Sequence, residues 1–258
     1  MLTEKKGTNL GSNPIFLKRN QVPTILAIGA HPDDIEVGCA GTLKLLASLG
    51  YMVYGVILTD GERGGDREKR LKEASTSARI LGLENVFFEH FEDGKVPFDV
   101  DTVTAIEEYI QDLQPWKVFT HTKEDRHQDH WNCSCATQAA ARKGVREILM
   151  YEVYGSTTSS FVPHYVVDIS ETIEYKLASL KVHQSQIGKG VLNIEGIREH
   201  AGSLGKEYGY KYAENFEINH LLFDRARLTL EFNALKHANN TFAPYHYHSQ
   251  FRTETEDE

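Results

Sequence analysis

Residues 24–38 of this chain read TILAIGAHPDDIEVG, a run that passes from apolar to acidic within a few positions. Its apolar start has the length of a buried strand, and an apolar-periodic helix is predicted to begin near Gly41. His31, Asp33 and Asp34 then lie at the carboxyl end of a strand, where open α/β sheets bind ligands. A neutral imidazole and a carboxylate can share a divalent metal ion, while a second carboxylate accepts a proton from water. The alternative is structural, with Asp34 capping the helix and His31 bonding the backbone.

A second stretch, WKVFTHTKEDRHQDH at 116–130, repeats this arrangement of an apolar strand followed by metal-binding residue types. Three histidines and two aspartates follow the predicted strand before the next helical pattern begins. At helical spacing His127 and His130 lie one turn apart on the same face. Two such junctions favour a catalytic metal site with three protein ligands, because structural zinc usually takes four ligands rich in Cys.

Together, AHPDD at 30–34 and HQDH at 127–130 resemble the LmbE-like, or PIG-L, family of zinc-dependent N-acetylglucosaminyl deacetylases. The resemblance extends from about residue 24 to 220, and LTDGE at 58–62 and HQSQ at 183–186 also look like family segments. It implies a zinc ion, with Fe²⁺ or another divalent metal as the alternative in the cell. The roles that it implies are metal ligation by His31, Asp34 and His130, general-base catalysis by Asp33, oxyanion stabilisation or acid catalysis by His127, and imidazole orientation by Asp129.

The Gly-rich segment TDGERGGD at 59–66 lies between a predicted strand and a predicted helix. Its glycines permit close backbone approach, but the spacing matches neither a Walker A loop nor a dinucleotide-binding fingerprint. Two interpretations stay open. The segment is a mobile surface loop, or Arg63 and Glu62 line the mouth of the site and contact the substrate, with Asp60 as a further candidate.

Strands and helices alternate through the first half of the chain, which predicts a single-domain, Rossmann-like α/β fold with a mostly parallel sheet and helices on both faces. The predicted helices include 67–81 and 132–143, and the predicted strands include 85–91 and 217–223. We predict a flexible leader at 1–22, an LmbE-like deacetylase domain at 23–237 that ends in an amphipathic helix at 224–237, and a tail at 238–258. The pair His246 and His248 in that tail is interpreted as a tail or subunit contact rather than a metal site.

Composition limits the class of partner. The 258 residues are 40% hydrophobic and 25% charged with a net charge of -9, which argues against a general nucleic-acid binder. No apolar run reaches the roughly 20 residues of a membrane span, and no secretory signal is recognised at the start. Three cysteines make no disulfide framework, which indicates a cytoplasmic protein with reduced thiols.

The predicted activity is metal-dependent hydrolysis of the N-acetyl group of an N-acetylglucosamine-type amino sugar or its conjugate, releasing acetate. The expected partner is a small-molecule amino sugar, and a homo-oligomer is left open. Two alternatives remain at this stage. One is an amidase acting on a glucosaminyl thiol conjugate, and the other is a non-catalytic sugar- or nucleotide-binding α/β module.

Overall fold

A seven-stranded sheet forms the centre of residues 22–223, which are the residues that the structure, a computed structural model, describes. The strands are β1 (Thr24–Gly29), β2 (Met52–Thr59), β3 (Asn85–Phe91), β4 (Lys117–His121), β5 (Glu147–Tyr151), β6 (Tyr165–Asp168) and β7 (Ala213–Leu221). The helices are α1 (Asp34–Ser48), α2 (Arg67–Leu81), α3 (Val100–Leu113), α4 (Gln128–Ala140), α5 (Ile173–Val182), α6 (Gln184–Ile187) and α7 (Ile194–Glu207). A short 3-10 helix, Glu62–Gly64, follows β2.

The strand order is β3-β2-β1-β4-β5-β7-β6. β1 to β5 pair in parallel, whereas β7 runs antiparallel to both β5 and β6. The chain adds β2 and β3 on one side of β1, and then β4 and β5 on the other. The strand order therefore reverses between β1 and β4, and the crevice beyond their carboxyl ends is where such sheets bind ligands. The predicted Rossmann-like, mostly parallel fold is confirmed.

Helices cover both faces of the sheet, and β1 shows why. Its alternate side chains Ile25 and Ala27 pack with α1 and α2, whereas Leu26 and Ile28 pack with α3 and α4. All six residues of the strand are buried, as expected for a central parallel strand between two helical layers.

Helix α1 begins at Asp34, so the predicted start near Gly41 is wrong. Every residue from Asp34 to Leu43 is buried. This part of α1 therefore lacks the polar, solvent-exposed face that, opposite an apolar face, marks a helix in a sequence. Close packing of α1 on β5 makes this complete burial possible. A Cβ atom on Gly38 would lie only 2.1 Å from Cδ2 of Tyr151 in β5.

Some of the other predicted helix and strand boundaries agree with the structure, and others differ from it. The predicted bounds of α2 and β3 are confirmed, and α2 is capped by Asp66, whose carboxylate accepts a hydrogen bond from the backbone N–H of Lys69. Helix α4 begins at Gln128 rather than at 132, and β7 begins at Ala213 rather than at 217. In α4, the polar, histidine-rich first turn conceals the start of the helix.

No helix within residues 22–223 is both long and apolar enough to cross a membrane. The predicted helix at 224–237, the tail with His246 and His248, and the leader up to residue 21 lie outside the described residues.

Candidate metal centre

The turn after β1 places Asp33 in a strained backbone conformation. Its φ of 122° lies in the region that favours glycine, and such strain persists only where the surroundings hold it. The buried guanidinium of Arg70 provides part of that restraint. Its Nη2 donates to the carbonyl of Pro32 at 2.6 Å and lies 3.3 Å from Oδ2 of Asp33, while its Nη1 donates to the carbonyl of Gly61 at 2.8 Å. The backbone N–H of Val37 completes the turn with a 2.9 Å bond to the carbonyl of Asp33.

Three side chains from the two junctions face one another across the crevice. Nδ1 of His31 lies 3.3 Å from Nε2 of His130 and 3.3 Å from Oδ2 of Asp34. Oδ1 of Asp34 lies 3.3 Å from Nε2 of His130. In a tetrahedral zinc site with bonds of about 2.0–2.1 Å, neighbouring ligand atoms are about 3.3–3.4 Å apart. The spacing and the donor types of these residues therefore fit a divalent cation such as zinc.

Carboxylates lie behind the two imidazoles. Nε2 of His31 lies 3.2 Å from an oxygen of Asp129 and 3.2 Å from an oxygen of Asp93. Nδ1 of His130 lies 3.1 Å from Oδ2 of Asp125. We call His31, Asp34 and His130 the donor triangle. A proton on the outward-facing nitrogen of each imidazole leaves the lone pair of its other nitrogen pointing into this triangle, as in carboxylate–histidine–zinc arrangements.

The charges of the cluster favour a cation. Burial opposes a charged His130, but Asp34 and Asp125 outweigh it and raise the pKa of His130 to about 9. For His31, burial is likewise outweighed by Asp34, Asp129 and Asp93, so its pKa rises well above the ordinary value. Burial raises the pKa of Asp33 to about 6, against the opposing effect of Arg70. Buried carboxylates that hold positive charge on nearby imidazoles also suit a bound metal.

Two further histidines, His121 and His127, lie beside the donor triangle, and their hydrogen bonds distinguish them from its three members. Nε2 of His121 accepts a bond from the backbone N–H of Ala30 at 3.1 Å and lies 3.2 Å from Oδ2 of Asp34, so this nitrogen is already engaged by its neighbours. Nδ1 of His127 accepts from the backbone N–H of Asp129 at 3.2 Å, which places the proton of a neutral His127 on Nε2. Both rings lie close enough to join a metal-binding group, but Nε2 of His121 is engaged by Ala30 and Asp34, and Nε2 of His127 presents a donor.

The loop after β2 lies beside this cluster, but its predicted residues are engaged in different ways. Oε1 of Glu62 accepts a bond from the backbone N–H of Asp93 at 2.8 Å, which ties this loop to the one that follows β3. Asp60 is buried and bonds Arg67 and His90 rather than facing the triangle. The side chain of Arg63 is 58% exposed, and its guanidinium lies 3.7 Å from the carboxylate of Glu92 at the surface.

The sequence interpretation missed several residues that the fold brings into the site. Arg70 lies on the inner face of α2, Asp93 lies in the loop after β3, and Asp125 lies in the β4–α4 loop. Only Asp125 carried a local signal, since it belongs to the His-rich stretch. Cys133, three residues after His130, is fully buried, and burial raises the pKa of its thiol well above the ordinary value.

Comparison with known proteins identifies the family. The family model described as PIG-L, GlcNAc-PI de-N-acetylase, matches residues 26–141. The chain is 38% identical over 176 residues to a protein of Escherichia coli (strain K12) described as uncharacterized deacetylase YaiS, covering 64% of this chain and 93% of that protein.

The chain belongs to the PIG-L family.

Two further relatives extend the comparison. Diacetylchitobiose deacetylase of Thermococcus kodakarensis is 30% identical over 224 residues, covering 77% of this chain and 84% of that protein. The solved structure of N,N'-diacetylchitobiose deacetylase from Pyrococcus horikoshii superposes with a TM-score of 0.65 at 26% identity, covering 76% of this chain and 83% of that one. These three relatives are described as deacetylases, and the predicted family is confirmed.

Proposed function

We propose that this PIG-L protein is a zinc-dependent hydrolase that removes the N-acetyl group from an N-acetylglucosamine-type amino sugar and releases acetate. The observation that carries the proposal is the grouping of His31, Asp34 and His130, in which the two facing imidazole nitrogens lie 3.3 Å apart and each lies 3.3 Å from one oxygen of Asp34, beside a buried carboxylate and an imidazole donor. Family membership supports the same reaction. Three protein ligands leave room for water and substrate, as catalytic zinc sites do.

Zinc, when bound, supplies Lewis-acid chemistry and lowers the pKa of a bound water to about 7. The protein's own groups act around it. Asp33, adjacent in sequence to Asp34 but bonded to Arg70, is the proposed general base that accepts the proton of the attacking water. A carboxyl group with a pKa of about 6 is matched to this task at neutral pH, because it is ionised yet sufficiently basic.

Attack on the acetyl carbonyl places negative charge on its oxygen. His127 is the proposed donor to that oxygen, because its Nδ1 is occupied by the backbone and Nε2 carries the proton. Asp129 has the proposed role of fixing an imidazole, and in the structure that imidazole is His31. The proton held by Asp33 is then available to the departing amine.

Substrate contacts are assigned to the loop after β2. Arg63 is the proposed contact with polar groups of the sugar, because its guanidinium is exposed at the edge of the cluster. Glu62 and Asp60 remain weaker candidates, and their observed bonds suit them to shaping the loop. Arg70 is added here as the group that orients Asp33.

The test combines metal analysis with acetate release. Purified protein is assayed for zinc and iron by mass spectrometry, and for acetate release from N-acetylglucosamine, a chitooligosaccharide and N-acetylglucosaminyl malate or inositol, before and after chelation. We expect about one metal ion per chain, together with acetate release that chelation abolishes and zinc restores. A metal-replete protein that releases no acetate from any of these would contradict the deacetylase and favour the amidase. A chain that binds no metal would favour the binding module.

A further inference from the structure

A buried ion pair from the second half of the chain meets the middle of helix α1. Nζ of Lys176, in α5, lies 2.6 Å from Oε1 of Glu214, in β7, and both side chains are almost fully buried. Taking two charges out of water is costly, and well-packed apolar residues often serve stability equally well. The contacts of this pair therefore call for an explanation beyond stability.

Both members of the pair bond the backbone of α1. Nζ of Lys176 donates to the carbonyl of Val37 at 2.7 Å. The carboxylate of Glu214 accepts from the backbone N–H of Gly41 at 2.9 Å and of Thr42 at 2.8 Å. A regular helix pairs the N–H of Gly41 with the carbonyl of Val37. Here the carbonyl of Val37 and the N–H of Gly41 each bond one member of the ion pair, which attaches the helix to α5 and β7.

Val37 connects this attachment to the proposed metal centre. Its carbonyl bonds Lys176, while its N–H donates to the carbonyl of Asp33 at 2.9 Å. Asp33 holds a strained φ of 122° and Asp34 is the first residue of α1. A helix that rotated or slid would carry Asp34 away from His130 and release the strain at Asp33.

We propose that Lys176 and Glu214 are positioning residues, which fix the rotation and axial position of α1 and thereby hold Asp33 and Asp34 in register with His31 and His130. This inference rests on the proposed metal-dependent function. Neither residue touches the donor triangle, so both act through the helix backbone.

The chain provides a matched control. Lys117 and Glu147 form a second ion pair of low exposure, 3.1 Å apart, at the start of the neighbouring strands β4 and β5. That edge of the sheet is opposite to the one that carries the metal centre. Lys117→Met removes the same charge as Lys176→Met, but at a place from which α1 is not held.

The experiment measures metal binding by the intact chain without reference to turnover. The zinc affinity of metal-free wild type, Lys176→Met and Lys117→Met is measured by competition with a chromophoric chelator, below the unfolding temperature of each protein. The visible absorption spectrum with Co²⁺ reports the ligand geometry. We expect Lys176→Met to bind zinc about 10–100-fold more weakly than wild type, as for other groups that orient metal ligands. Its Co²⁺ spectrum should also change, whereas Lys117→Met should match wild type in both measurements.

Two milder variants keep the test decisive if Lys176→Met does not fold. Lys176→Arg preserves the charge, and a cavity of about 20 Å³ that borders Lys176 and Glu214 gives the longer side chain some room. We expect it to restore most of the zinc affinity, whereas Glu214→Gln should weaken it. Wild-type zinc affinity and Co²⁺ spectra in Lys176→Met, or in Glu214→Gln if the first does not fold, would overturn the proposal and leave the pair a purely structural role. Absence of acetate release by zinc-loaded wild type would instead contradict the proposed function, and the affinity measurement separates the two failures.

Discussion

Replacing Gly38 by alanine tests whether close packing of α1 on β5 holds this part of the fold. In an ordinary helix the change is favourable, because alanine exceeds glycine in helix propensity by about 1 kcal/mol. In α1 the new Cβ would lie 2.1 Å from Cδ2 of Tyr151, against a contact distance of about 3.5–4.0 Å between carbon atoms. The ring or the helix would have to move by about 1.5 Å.

Tyr151 has little freedom to make that movement. Its side chain is fully buried and its hydroxyl donates to the carbonyl of Ile28 at 2.8 Å. Overpacking costs about 1–3 kcal/mol, and a lost buried hydrogen bond adds about 1–3 kcal/mol. After the gain in propensity, the free energy of unfolding of Gly38→Ala should fall by about 3 kcal/mol. For a chain of this size, that lowers Tm by about 6–12 °C.

The assay is thermal unfolding followed by circular dichroism, with Gly202→Ala as the matched control. Gly202 lies within α7, and a Cβ there would meet Tyr212 at 3.5 Å, an ordinary contact. The control should therefore raise Tm by about 1–4 °C through helix propensity alone. A Gly38→Ala protein at least as stable as wild type, or equal losses in both variants, would refute the reasoning from close packing.

Three further predictions concern the site and a helix end. Asp33→Asn should keep the metal, measured by mass spectrometry, while acetate release falls about 10²–10⁴-fold, because the general base is lost and the ligands remain; equal loss of metal would contradict this. His130→Ala should abolish zinc binding and His127→Ala should retain it with reduced turnover, whereas the reverse result would exchange their assigned roles. The backbone N–H of Thr102 bonds the carboxylate of Asp99 at the start of α3 and lowers its pKa. The stability that this ionised carboxylate contributes is therefore complete above about pH 4, and it is lost as the pH falls through the folded-state pKa of Asp99. The difference in urea midpoint between wild type and Asp99→Ala should shrink on acidification, and a constant difference would show that the carboxylate charge is not involved.

Much of the site was predictable because its chemistry is local. One turn contains His31, Asp33 and Asp34. Another contains His127, Asp129 and His130. Each group can therefore be recognised in the sequence by residue type and spacing. The fold class followed from alternating strand and helix patterns, and parallel strands then bring the two turns to one edge. The structure does place Asp34 within 3.3 Å of His130, although 96 positions separate them in the sequence. Their catalytic roles stay predictions.

Residues whose importance depends on distant partners left no such signal. Arg70 reads as one more charge on a charged helix, yet the structure buries it against the turn of Pro32 and Asp33. Lys176 and Glu214 lie 38 positions apart, on elements that the sequence describes only loosely, and they meet on the backbone of α1. The bond partners of a buried charge are decided by the assembled fold.

The sequence by itself determined the two turns rich in His and Asp, the central parallel strands and the family, because residue type and short-range periodicity encode them. The tertiary structure decided where α1 begins, how β7 inserts between β5 and β6, and which carboxylate faces which imidazole. The physical reason is burial. A helix buried on all sides has no polar face to mark its period, and an ionic or hydrogen-bonding side chain acquires its role only when folding removes water and supplies a partner.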